Sequence, residues 1–421
     1  MIYLLCIKPY KGEPMKNKKK KEKWLKFRHR IIRTVAFWVI KPWCVLRYGI
    51  KIHPFREQRK DQPYLILYNH QTAFDQFFVG IAFKGPVYYV ASEDLFSKGF
   101  ISTLLRWAVA PIPIKKQSTD VTAVMNCMRV AREGGTIAIA PEGNRTFSGK
   151  TEYMNPAIAT LAKRLKMPIA LYRIEGGFGV HPRWSDVIRK GKMESYVSEV
   201  IEPEEYADMN PDELLDRIEK GLYVDEANTN GEFLSDKSAE YLERAIYVCP
   251  HCGFAKFESS GNEMHCTGCG LTVHYGANKK LEPVKGKLPF PFVKEWYEYQ
   301  SAYVNKMLPE AHIAEPVFRD RANLSLVHIE KKKELLCEDA ELCLYGDRIT
   351  VNEGQENSRT FHFSELSAVS VLGRNKVNLY FGKELYQLKS DKRFNALKYV
   401  NFYYRYKNVT GGNPNGEFLG L

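Results

Sequence analysis

Four short apolar runs, at residues 64–68, 87–91, 136–140 and 168–174, constrain the fold of this chain more than any other feature. Each has the length of a buried strand. Helical patterns lie between them, at 72–84, from Thr119 or Asp120 to Glu133, and at 156–165. Gly85-Pro86 and Gly134-Gly135 stop the first two. Strands alternating with helices predict an α/β layered domain, ending near Pro203.

Two of these runs lead directly into reactive side chains. Asn69-His70-Gln71-Thr72-Ala73-Phe74-Asp75 follows the first, and Pro141-Glu142-Gly143-Asn144-Arg145-Thr146 follows the third. Five helical residues turn through about 500°, so His70 and Asp75 cannot share a helix face. They meet only if His70 stands in the turn before the helix and Asp75 points back from its first turn. Such a carboxylate accepts one imidazole N–H and leaves the other nitrogen free as a base. Arg145 offers a rigid fork that matches phosphate oxygens. The competing readings are a capping box at Thr72-Ala73-Phe74-Asp75 and a surface ion pair between Glu142 and Arg145.

Residues 60–200 resemble the glycerolipid acyltransferases of the lysophosphatidic acid acyltransferase (PlsC) family. The segment 69–75 matches that family's histidine-four-aspartate motif, and 141–146 is similar to its Pro-Glu-Gly-Thr-Arg-Ser block, with Asn and Thr as departures. Pro168-Ile169-Ala170 resembles its late Val-Pro-Ile segment. Ile112-Pro113-Ile114-Lys115-Lys116 stands where the family has an apolar stretch ending in Asp-Arg, so Lys116 takes the arginine's place and loses its fork. The resemblance implies that His70, oriented by Asp75, deprotonates a glycerol hydroxyl that attacks an acyl thioester. Arg145, with Lys116, would hold the acceptor's phosphate, and Glu142 and Gly143 would shape that pocket. The donor would be acyl-CoA or acyl-carrier protein, and the acceptor lysophosphatidic acid, giving phosphatidic acid. Glycerol 3-phosphate or another lysophospholipid is the alternative acceptor. A non-catalytic zinc-ribbon adaptor is the alternative of another class.

At 421 residues the chain is too long for one ordinary core, and two to four domains are expected. The formal charge of +13 is concentrated at one end: residues 1–60 hold 18 Lys and Arg against 3 Glu, a net +15, which leaves −2 for the rest. Trp24, Phe27, Ile31, Val35 and Trp38 recur at helical spacing, with Lys23, Lys26, Arg30 and Arg33 alongside. Large aromatics beside a basic stripe describe a segment lying in an anionic bilayer interface. Arg33, Lys41 and Arg47 interrupt any span, and Pro42 predicts two short helices meeting there. Residues 1–7 are not read as a signal peptide, and Met15, before a run of lysines, is a candidate start. The expected location is the cytoplasmic face of a membrane, peripheral or monotopic.

Cys249-Pro250-His251-Cys252 and Cys266-Thr267-Gly268-Cys269 form two knuckles thirteen residues apart. Four thiolates at that spacing predict a zinc ribbon, with structural Zn²⁺ on Cys249, Cys252, Cys266 and Cys269. Residues 246–275 carry one Lys and two Glu, a poor match to a phosphate backbone, so no nucleic acid is expected. From about Leu335 the apolar residues alternate, predicting a mostly-β, pleckstrin-homology-like domain with a closing helix at 394–406. Arg374, Lys376, Lys383, Lys389, Lys392 and Arg393 read there as a solvated face, with lipid head groups as the alternative. The expected division is a membrane-associating arm at 1–55, an acyltransferase domain at 56–205, a helical linker at 206–245, the ribbon at 246–276, a linker with a helix at 277–330, and the β-rich domain at 331–421.

Overall fold

The computed structural model describes residues 23–92, 95, 100–114, 120–328 and 333–420. Lys116, a predicted phosphate ligand, and Met15 lie outside the described residues.

The α/β domain is built on a seven-stranded mixed sheet. Its strands are β1 (Ile50–Ile52), β2 (Leu65–Tyr68), β3 (Val87–Ser92), β4 (Ile112–Ile114), β5 (Thr136–Ile139), β6 (Ile169–Glu175) and β7 (Met193–Ile201), in the order β1-β7-β6-β2-β5-β3-β4. Strand β2 is buried along its whole length and pairs in parallel with both β5 and β6. The turns after β2, β5 and β6 therefore open at one edge of the sheet, where ligands of open α/β sheets bind. Helices α1 (Phe27–Tyr48), α2 (Asp75–Ala82), α3 (Phe100–Val109), α4 (Val121–Arg132), α5 (Ala157–Leu165), α6 (Gly177–Val180), α7 (Pro203–Tyr206) and α8 (Pro211–Leu222) complete the domain. Asp120 caps α4, accepting a hydrogen bond from Ala123 N at 3.0 Å.

Helix α1 corrects two expectations. It runs unbroken through Pro42 instead of dividing there. Its buried face, with Cys44, Tyr48 and the partly buried Phe37 and Ile40, packs on the sheet core and holds the helix across the proline. Trp24 lies before the helix, outside the apolar stripe, and its indole N–H donates to Ala110 O at 2.9 Å. Arg33 turns inward as well, donating to Phe83 O at 2.6 Å at the carbonyl end of α2.

Residues 223–241 carry no helix, although the charged segment 206–245 is expected to be helical with a break at Asn228-Thr229-Asn230-Gly231; α8 ends at Leu222. Strands β8 (Val248–Cys249) and β9 (Gly253–Phe254) pair around the first cysteine knuckle. β10 (Phe257–Ser260), β11 (Glu263–Cys266), β12 (Thr272–Tyr275) and β13 (Leu281–Lys285) form a four-stranded sheet. The last of these was expected to be linker; Leu281 and the hydrogen-bonded edge of β12 recruit it. Helix α9 (Val293–Lys306) follows.

The expected mostly-β domain is present, and it begins earlier than position 331. Its strands are β14 (Phe318–Leu326), β15 (Glu334–Leu344), β16 (Arg348–Val351), β17 (Arg359–His362), β18 (Leu366–Leu372), β19 (Lys376–Phe381) and β20 (Glu384–Lys389), closed by α10 (Leu397–Thr410). They order as β17-β16-β15-β14-β20-β19-β18, an antiparallel meander whose first and last strands pair. The alternation in β14 is weakened by Asp320, a charge in the inward register of Phe318, Ala322 and Leu324, which pairs with Lys398 at 2.6 Å. One continuous apolar core joins this domain to the cysteine-bearing region and to Phe147, Phe178 and Trp184 of the α/β domain.

Candidate active site

The chain leaves β2 through Asn69, whose side-chain amide pairs with Ile174 of β6 in both directions, at 2.9 and 2.8 Å. His70 stands in the following loop and Asp75 is the first residue of α2. His70 Nδ1 lies 2.8 Å from Asp75 Oδ2. The carboxylate is fully buried, whereas the imidazole keeps 22% of its side chain exposed. Asp75 also accepts the N–H groups of Gln71 and Thr72 and the Thr72 hydroxyl, at 2.6 to 2.9 Å. Four donors on one carboxylate hold it in place, so the Nδ1 proton stays on that side and Nε2 is the ring nitrogen turned away from Asp75. The capping-box reading is replaced by this loop: Thr72 donates to Asp75, and the N-cap position is Phe74.

The arginine turn after β5 is bolted to this loop. His70 N–H donates to Glu142 Oε1 at 2.8 Å, and Thr146 N–H donates to His70 O at 3.2 Å. Glu142 is buried and also accepts Glu152 N–H at 3.0 Å. Burial pushes its carboxyl up to about 8, against those two backbone hydrogen bonds. Glu142 and Arg145 therefore form no surface ion pair; Glu142 joins the two loops. Gly143 has φ of +69°, a conformation that a side chain would strain. Gly177, after β6, lets a third loop close in: a Cβ there would sit 2.5 Å from Gln71 Cβ.

Arg145 follows the turn, and its Nη1 is buried with no hydrogen-bond partner among the described residues. Burial first, then the charge of Arg374, lowers its pKa to about 10, with Asp75 and Tyr48 opposing the shift. It stays a cation at neutral pH, within the field of the His70–Asp75 pair. A buried, charged, unpartnered donor is a place for an anion.

The third loop adds residues that the sequence reading missed. His181 lies just past α6, with its Nδ1 3.4 Å from Tyr48 Oη. Arg374 Nη2 donates to His181 Nε2 at 2.8 Å, which places the ring proton on Nδ1. Burial, then Arg374 and Arg145, push His181 down to about 3, so it is neutral. Arg183 donates to Arg145 O at 2.8 Å and to Gly373 O at 3.1 Å, and its guanidinium lies over the Phe147 ring. Arg374 was expected on a solvated face; it points into this site instead. No local signal in residues 177–189 or 371–376 marks these side chains, because they meet through contacts between distant parts of the chain.

Residues 49–173 match the family model described as Acyltransferase. The chain carries an acyltransferase domain. Among solved structures, it is similar to the 1-acyl-sn-glycerophosphate (LPA) acyltransferase PlsC from Thermotoga maritima, at 17% identity and a TM-score of 0.38, over 45% of this chain and 79% of that one. No curated protein matches the sequence. The acyltransferase domain contains both motif segments, and His70, Asp75, Glu142, Gly143 and Arg145 all fall inside it.

The second chemical centre lies outside that domain. The sulfurs of Cys249, Cys252, Cys266 and Cys269 all lie within 4.8 Å of one another. Cys249–Cys269 and Cys252–Cys266 are 3.7 and 3.9 Å apart. A tetrahedral zinc at about 2.3 Å from each sulfur has edges of about 3.8 Å, so the cluster fits that ion. His251 turns away and donates to Lys287 O at 2.8 Å, leaving four sulfurs as the donor set.

Proposed function

We propose that this acyltransferase domain transfers a fatty acyl group from a thioester donor, acyl-CoA or acyl-carrier protein, to the free hydroxyl of lysophosphatidic acid. The observation that carries the reading is the His70–Asp75 pair held by hydrogen bonds to the turn that presents Arg145. In the proposed reaction, His70 Nε2 takes the hydroxyl proton while Asp75 holds the Nδ1 proton and the imidazolium. The alkoxide attacks the thioester carbonyl, and the tetrahedral oxyanion collapses to expel the thiolate, which His70 protonates. No acyl-enzyme forms, because the acceptor itself attacks. Arg145 binds the acceptor's phosphate. Glu142 positions His70 through its backbone and leaves the substrate contact to Arg145.

Thiol release measured with each donor, with and without lysophosphatidic acid, tests this reading. Release that depends on the acceptor supports it, and release indifferent to the acceptor overturns it. Arg145→Ala is expected to raise the acceptor's KM roughly ten- to hundredfold, the worth of one or two charge-assisted hydrogen bonds. An unchanged KM would detach phosphate binding from this residue.

The reading also places the domain on an anionic membrane surface. Phe27, Ile31, Val35, Trp38 and Leu46 line one face of α1 at 51 to 86% exposure. So large an apolar face is unusual on a soluble surface and suits an interfacial helix. Trp43 on the same helix lies 5.2 Å from the Phe74 ring, one residue from Asp75, so the face adjoins the catalytic loop. Among the described residues no helix is long and apolar enough to cross a membrane. Trp38→Glu combined with Leu46→Glu, both on the exposed face, should cut co-sedimentation with anionic phospholipid vesicles by about tenfold or more. Binding equal to wild type would rule the face out as the anchor.

A further inference from the structure

Resting on that reading of the site, we infer that Arg374, carried by the β-rich domain, is a second ligand for the acceptor's phosphate, so that the pocket is completed only across the domain boundary. Arg374 sits in the turn between β18 and β19, far along the chain from the acyltransferase domain. The turn is fixed there by Arg183, which reaches Gly373 O at 3.1 Å and Arg145 O at 2.8 Å. One guanidinium thus ties the backbone that presents Arg374 to the backbone that presents Arg145.

Charge then points to what binds here. Arg374 Nη1 meets Asp186 Oδ1 at 2.7 Å, but Arg244 Nη1 occupies the same carboxylate oxygen at 2.8 Å. One carboxylate serves two guanidiniums, and neither Arg145 nor Arg183 has an ion pair among the described residues. The charge of Arg374 lowers the pKa of Arg145, and that of Arg145 lowers the pKa of Arg183, which burial takes to about 9. Partly buried guanidiniums that repel one another are stabilised by a dianion between them. A phosphate monoester supplies two charges and three equatorial oxygens, enough for forks from both Arg145 and Arg374. The neutral His181 holds Arg374 through Nε2 without cancelling its charge.

The test compares wild type, Arg374→Ala and Arg374→Lys. The readouts are KM and kcat for lysophosphatidic acid, the inhibition constant of inorganic phosphate, and the melting temperature. Arg374→Ala is expected to raise KM and the phosphate inhibition constant together, each roughly tenfold or more, with kcat changed far less. Arg374→Lys should recover part of the loss, since it keeps the charge without the fork. A lowered melting temperature with both constants unmoved would make Arg374 a domain brace and overturn the inference. Unmoved constants in an active, stable Arg374→Ala enzyme would also overturn it, while leaving the proposed reaction standing. A wild-type enzyme that turns over no phosphate-bearing acceptor would sink both.

Discussion

His70→Ala is expected to lower kcat by about 10²- to 10⁴-fold, the range for a lost general base, with a melting temperature close to wild type. What holds the loop is the backbone of residue 70, whose N–H donates to Glu142 and whose carbonyl accepts from Thr146. Alanine keeps both. Asp75 loses one donor but retains Gln71 N–H, Thr72 N–H and the Thr72 hydroxyl, so no buried charge is left bare. Initial rates of thiol release and a thermal melt on the same preparation make the comparison. Turnover like that of wild type would remove His70 from the mechanism; a collapsed melt would make the loss uninformative about catalysis, and His70→Gln would then be measured in its place.

Cys266→Ser should have the largest effect on stability. A four-thiolate zinc site carries on the order of 10 kcal/mol of folding free energy, comparable with the whole stability of a domain, about 5–15 kcal/mol. Cys266 is also buried in the core shared by the cysteine-bearing region, the β-rich domain and Trp184 of the acyltransferase domain. Its loss should therefore loosen the docking that brings Arg374 to the cleft, beyond the ribbon itself. Metal analysis of wild type should find about one zinc per chain, and the variant close to none. Less than about half an equivalent in mildly purified wild type would count against a structural zinc. Chelation that strips the metal without shifting the melt would do so too.

Local signals carried a large part of this protein. Strand-length apolar runs with helical patterns between them located the sheet of the acyltransferase domain, because a buried strand must be apolar whatever its neighbours are. The five-residue offset of His70 and Asp75 already required a loop followed by a helix start. The cysteine spacing named its cluster, since a metal's ligand geometry is imposed by the ion. Pattern failed where packing outweighed propensity. Pro42 is accommodated because the opposite face of α1 is anchored by Cys44 and Tyr48. β13 forms because β12 offers a free edge.

The amino-acid order by itself determined which reactive groups the chain carries: an imidazole with its carboxylate, an arginine turn and a cluster of four cysteines, each encoded within about twenty residues of sequence or fewer. Only the tertiary structure decided who stands around them. Glu142 became a strut under His70, Arg33 a helix-end partner, and Arg374 a charge acting on Arg145. These roles join residues up to 229 positions apart. Such contacts are selected by burial and charge in the assembled core, where no short-range pattern records them.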